Sequence, residues 1–217
     1  FARLASRKLG PPDLATIAGQ FGYGTTIPFE VPVEVSRIEL PADHLGFART
    51  AAGFWNTHLS PLHAALLAST VANGGVTPRP WIVQEVIEGQ TPVYRAPQPS
   101  ALRRAIDPAT ATALEHMLVE TVSQGTSFKA FHDPKGRPFL PGIEVAGKTG
   151  TLNQPQPLKL FTWFVGYAPT HAPKVAIAAL VVNDPVWKVK ANVLAREALR
   201  AYFAAQGSAG VTAPGLD

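Results

Sequence analysis

Apolar positions recur along the chain with two different spacings, and the change from one to the other outlines the fold. Near the start Phe1, Leu4, Ala5 and Leu9 follow a helical period that Gly10-Pro11-Pro12 ends. Residues 13–20 predict a second short helix before the turn-rich Phe21-Gly22-Tyr23-Gly24. From 25 to 58 prolines alternate with β-branched residues, which predicts an extended surface excursion. Ser60 then stands as an N-cap, with Pro61 at the first helical position. Leu62, Leu66 and Leu67 lead from there to Val71, and Asn73-Gly74-Gly75 stops the helix. The runs Pro80–Ile87 and Thr91–Tyr94 flank Glu88-Gly89-Gln90, the pattern of a β-hairpin.

Asp107 caps a further helix, with Pro108 in its first turn and Leu114, Met117, Leu118 and Val122 on one face, ending near Gly125. After a proline-rich loop over 133–142 the pattern becomes strand-like. Three strands are predicted, over Glu144–Thr151, Phe161–Tyr167 and Val175–Val182. The last is apolar throughout, as a strand covered on both faces should be. Lys188–Gln206 is a long closing helix, and 207–217 is a small-residue tail expected to be flexible. A meander of strands flanked by helices gives an α+β fold rather than a doubly wound sheet.

Composition narrows the classes. With 46% hydrophobic and 16% charged residues over 217 positions, the chain is less charged than ordinary domains at ~25%, and it can bury a sizeable core. The longest uninterrupted apolar stretch, Val175–Val182, is far short of the ~20 residues of a membrane span. Cysteine is absent, which removes disulfides, thiolate nucleophiles and cysteine-ligated metals. The net charge of +4 is dispersed, with the densest groups being pairs such as Arg7-Lys8 and Arg103-Arg104, so no nucleic-acid partner is expected. Twenty-one prolines punctuate short elements and argue against a long-helix bundle. His58 and His63 lack a His-Glu-x-x-His spacing, so no metal site is expected, and no Gly-x-Ser-x-Gly elbow supports a hydrolase triad. Trp55, Trp81, Trp163 and Trp187 are assigned to packing rather than to a ligand cage.

One segment admits two readings. Gly142-Ile-Glu-Val-Ala-Gly147-Lys148-Thr149 matches a P-loop letter for letter, and Ala178–Val182 with Asp184 would serve as its second motif. A P-loop needs a buried strand before its first glycine and a helix starting at its Lys. Here 133–141 contains three prolines, and Pro155 and Pro157 forbid an outgoing helix, so a nucleotide hydrolase is only a distant alternative. As a strand, the same residues offer a cation at Lys148, hydroxyls and backbone N–H groups at one rim. Such a set can hold a carboxylate and polarise a neighbouring carbonyl. Glycines there would let a ligand backbone lie against the strand.

Ala146-Gly147-Lys148-Thr149-Gly150-Thr151, followed by Trp163-Phe164-Val165-Gly166-Tyr167-Ala168-Pro169, resembles the last motif and next strand of penicillin-binding protein transpeptidase domains. Further pieces resemble that family in its own order. Phe21-Gly22-Tyr23-Gly24 resembles the turn after its central helices. Leu59–Ala65, running on to Ala72-Asn73-Gly74-Gly75, resembles its "TPLQMA…ANGG" helix, and Met117-Leu118-Val119 with Gly125-Thr126 the segment before its Lys-Thr-Gly strand. The likeness covers roughly residues 1–206. One departure is Ala52-Gly53-Phe54-Trp55, where many relatives have a Gly-Gln-Gly turn.

The resemblance implies a β-lactamase/transpeptidase-like fold, an antiparallel sheet flanked by helices. The first two of the family's five strands would be missing and three present, leaving an unpaired edge and an uncovered apolar face. It also implies acyl-serine transfer that cross-links peptidoglycan stem peptides, with β-lactam antibiotics as ligands of the complete domain and no cofactor. Lys148 would supply charge to the terminal carboxylate and support proton transfer. Thr149 and Thr151 would offer hydroxyls to that carboxylate, with Gly150 between them. The Thr151 N–H would form half of an oxyanion hole. Neither Ser-x-x-Lys nor Ser-x-Asn occurs, and Thr126-Ser127-Phe128-Lys129 has Thr where a nucleophile belongs. The chain starts at Phe1 without an initiator Met or signal peptide, so it is expected to be the C-terminal portion of a transpeptidase domain. Its partner would then be the missing N-terminal part. The membrane would be reached only through an upstream anchor, at the periplasmic or extracellular face of the bacterial plasma membrane. A non-catalytic remnant with a binding or scaffolding role is the alternative.

Overall fold

The computed structural model describes residues 2–53, 55–156, 158–184, 186 and 188–209. Two compact units divide between Leu114 and Glu115. Phe54, Trp187 and tail residues 210–217 lie outside the described residues.

The first unit begins with α1 (Ala2–Lys8) and α2 (Pro11–Phe21). Asp13 returns its carboxylate to the Gly10 N–H at 2.7 Å, while Gly22, at φ 98°, closes α2 in the left-handed region. The predicted excursion is only partly extended. It pairs β1 (Arg37–Ile38) with β2 (Thr57–His58) and holds a helix between them, α3 (His44–Ala51). Asp43 caps α3 by accepting from the Gly46 N–H at 2.7 Å, and Phe47 is buried. Next, α4 (Pro61–Ala72) forms as expected, with the Ser60 hydroxyl accepting from the His63 N–H. His63 itself is buried. Its Nε2 donates to the Phe21 carbonyl at 2.9 Å, and its Nδ1 has no partner. Burial therefore pushes its pKa down.

Beyond α4, β3 (Val76–Pro78) pairs with β6 (Ala101–Arg104), a pairing the hydrophobic pattern did not signal. Between them β4 (Glu85–Glu88) and β5 (Thr91–Arg95) form the expected hairpin, turning at Gly89 with φ 64°. Every residue of both strands is exposed.

Helix α5 (Pro108–Ser123) is capped by Asp107, which accepts from the Thr110 N–H at 2.9 Å. Met117 is 63% exposed, not on the inner face predicted for it; Ala111 and Val122 mark that face. A short α6 (Phe128–Phe131) follows, which the sequence pattern did not suggest. The three predicted strands appear as β7 (Ala146–Pro155), β8 (Leu158–Ala168) and β9 (Val175–Asn183), antiparallel in the order β7-β8-β9. β9 is not covered on both faces as expected: most of its residues are only half-buried and Val182 is 47% exposed. α7 (Ala191–Ala209) closes the unit and runs three residues past the expected end of the helix. Phe164, Ala168 and Ala179 from the sheet meet Ala191, Ala195 and Leu199 of α7 in one core, with Phe131 and Val122 beside them. The Thr162 hydroxyl accepts from the Ala191 N–H at 3.0 Å, fixing the start of α7 on the sheet.

Candidate functional site

Strand β7 carries the residues singled out from the sequence. It runs straight through Gly147-Lys148-Thr149, paired with Gly166, Val165 and Phe164 in turn. No helix begins at Lys148, which excludes the P-loop reading.

Side chains alternate across a strand, and directly paired residues share a face. Gly147, Thr149 and Thr151 therefore share a face with Gly166, Phe164 and Thr162, the face that α7 covers. Lys148 and Gly150 share the other with Val165 and Trp163. The predicted cation and hydroxyls are thus brought to one strand but leave it on opposite faces, meeting only along its edge.

The glycines have different reasons to be there. A Cβ at Gly147 would sit 2.3 Å from Cζ of Phe164, and one at Gly166 would sit 2.3 Å from the Ala146 carbonyl oxygen. Both are packing requirements of the core, not room for a ligand as the sequence reading expected for Gly147. At Gly150 the nearest atom to an added Cβ is Cβ of Trp163 at 3.3 Å. Only there does the missing side chain leave the strand surface low.

Lys148 is exposed, and its Nζ donates to the Thr149 carbonyl at 2.8 Å. Partial desolvation by its surroundings pushes its pKa below the ordinary lysine value of 10.5. On the same face Tyr167 is fully buried and donates to Glu115 at 2.6 Å; burial first, then Glu115, pushes its pKa up. The Thr149 hydroxyl meets the Thr126 hydroxyl at 2.8 Å, and Thr151 is exposed. In the sequence Thr126 belongs to the Gly125-Thr126 piece of the family resemblance and to a discounted nucleophile motif, with no role of its own. The structure places it beside Thr149, and nothing local in the sequence connects residues 23 positions apart.

Among the described residues, no strand pairs with the long edge of β7 that faces away from β8. Such an edge presents alternate N–H and C=O groups and can take an extended peptide as an added strand. A cation, two adjacent hydroxyls and a free strand edge together suit an extended ligand that ends in a carboxylate. Among the described residues, no group of three or more His, Asp or Glu side chains could hold a metal, and no helix is long and apolar enough to cross a membrane.

The family model for the penicillin binding protein transpeptidase domain matches residues 1–201. The chain is 32% identical over 190 residues to peptidoglycan D,D-transpeptidase PbpA of Mycobacterium tuberculosis, covering 84% of this chain and 36% of that protein. It is 30% identical over 179 residues to PbpA of Mycolicibacterium smegmatis, covering 79% of this chain and 34% of that one. A solved structure of penicillin-binding protein A from M. tuberculosis, an imipenem acyl-enzyme complex, superposes with a TM-score of 0.80 at 28% identity, over 94% of this chain and 44% of that chain. The chain thus spans about a third of the length of these two curated relatives and less than half of that solved chain.

Proposed function

Because the chain belongs to the penicillin-binding protein transpeptidase domain family, we propose that it is the C-terminal portion of a peptidoglycan D,D-transpeptidase domain, residues 1–206, and that β7 forms one wall of the active site. The observation that carries this reading is the pairing of a free strand edge with Lys148 and the Thr149 hydroxyl beside it.

A stem peptide lies extended along that edge and ends in a D-Ala carboxylate. The Lys148 ammonium attracts the carboxylate, and the Thr149 and Thr151 hydroxyls donate to it. Held there, the scissile carbonyl faces the Thr151 N–H, one of two donors that stabilise the oxyanion. A serine outside these 217 residues attacks that carbonyl, the D-Ala amine leaves with a proton, and an amine of a neighbouring strand takes the acyl group. β-Lactams acylate the same serine. The reaction takes place outside the cytoplasm, at the periplasmic or extracellular face of the plasma membrane, and needs no cofactor from this chain.

The test is labelling with a fluorescent penicillin. The 217-residue chain alone stays unlabelled, the complete protein is labelled, and Lys148→Ala in the complete protein labels at least tenfold more slowly, the loss of ~1.5–3 kcal/mol expected for a hydrogen bond to a charged group. A stable acyl adduct on the chain alone, seen by intact mass, contradicts the assignment of the nucleophile. An unlabelled complete protein favours the non-catalytic reading.

A further inference from the structure

We infer that Thr126 is a positioning residue that aims the Thr149 hydroxyl at the ligand carboxylate, an inference that rests on the carboxylate-binding role proposed for β7. Thr126 and Thr149 are 23 positions apart, yet their Oγ1 atoms lie 2.8 Å from one another. Neither hydroxyl has another hydrogen-bond partner among the described residues.

The turn that presents Thr126 is held from several sides. A Cβ at Gly125 would fall 2.8 Å from Cα of Thr121 and 2.9 Å from the Glu120 carbonyl oxygen, so only glycine fits this close turn. On the other side Ser127 is fully buried. Its N–H donates to the Thr121 carbonyl at 2.9 Å, and its own carbonyl accepts from Ala130 and Phe131. Its hydroxyl accepts from Asn192 at 3.4 Å. Thr126 is therefore an exposed side chain on a backbone that cannot move far, unlike the hydroxyl it touches, which can rotate.

A hydroxyl has one hydrogen and two lone pairs. When Thr149 gives its hydrogen to a carboxylate, the contact with Thr126 is satisfied only if Thr126 donates to Thr149. The resulting chain runs from Thr126 through Thr149 to the carboxylate, and each bond polarises the next. Thr126 thereby fixes which way the Thr149 hydrogen points and strengthens it as a donor. Its hydroxyl acts on the ligand through Thr149, so its effect belongs to ligand binding and not to bond making.

The experiment measures acylation of the complete protein by a fluorescent penicillin over a range of concentrations, in the parent and in Thr126→Val, Thr126→Ser, Thr149→Val and the Val/Val double variant. Thr126→Val weakens the apparent affinity about 3- to 10-fold, the range of one net hydrogen bond, and leaves the saturating rate unchanged. Thr126→Ser restores it, and the double variant is no worse than Thr149→Val alone. Parent-like affinity in Thr126→Val, a fall in its saturating rate, failure of Ser to rescue, or additive losses would each overturn the inference while leaving the proposed function standing. If Thr149→Val itself binds as the parent does, the carboxylate role of Thr149 fails, and Thr126 falls with it.

Discussion

The β4–β5 hairpin and the β7-β8-β9 sheet are both antiparallel and both rich in β-branched and aromatic residues, yet their surroundings could hardly differ more. In the sheet, Phe164 and Tyr167 are fully buried, and α7 covers one face. In the hairpin, Val86, Ile87 and Val93 are 45%, 57% and 57% exposed, and its named polar ties are an Arg95–Glu85 pair at 2.7 Å and a Tyr94 hydroxyl donating to Glu30. Such two-stranded pieces are marginal by themselves. Strand propensity is therefore not what holds either pairing. A ring lodged over two glycines holds the first, and a tight turn at Gly89 the second.

Phe164→Ala should sharpen that contrast most, costing about 3–5 kcal/mol in urea unfolding followed by circular dichroism. A loss below 1 kcal/mol would mean the ring is not the keystone of the sheet. Gly166→Ala follows, at about 1–3 kcal/mol or more, because its Cβ meets a backbone carbonyl that cannot step aside. Gly150→Ala, on β7, brings its Cβ to 3.3 Å from Cβ of Trp163 and should cost less, about 0.5–1 kcal/mol, while slowing penicillin labelling of the complete protein. In the unit that holds the hairpin, the sensitive point is His63 rather than a strand. Its folded pKa lies below the ordinary 6.5, so the unfolded chain binds the proton first. Stability should be full above pH 6.5 and fall as pH drops below it, and a melting-temperature series in which His63→Gln keeps the same slope would refute this. Smallest of all, Val86→Thr or Val93→Thr should shift the melting temperature by no more than a degree or two, within about 0.5 kcal/mol.

Much of this architecture was readable in the chain because its signals are local. Ser60 and Asp107 cap the helices they were expected to cap, and the three strands lie within a few residues of their predicted bounds. Helix α3 was missed because its Asp43 cap is followed by Gly46 inside the first turn and flanked by proline-rich chain. That glycine is needed, since an added Cβ would meet the Asp43 carboxylate and the Pro41 ring. Met117 misled because an apolar residue on a helix need not face inward. At the site, the Lys-Thr-Gly run was legible but the division of its side chains between two faces was not, because that depends on the register with β8. Thr126 stood out only as part of the Gly125-Thr126 piece that resembles the family, and its contact with Thr149 was out of reach, since only the tertiary fold brings the two together.

The two kinds of glycine in the β7–β8 pair also set the latitude open to descendants of this sequence. At positions 147 and 166 any side chain would have to displace an aromatic ring or a carbonyl, so drift there is closed off whatever ligand the strand meets. Position 126 borders β7 without that constraint, and a side chain at 150 would press on the Trp163 side chain at 3.3 Å rather than on backbone or ring centre. Changes that the packing tolerates therefore fall at those two places rather than at 147 or 166.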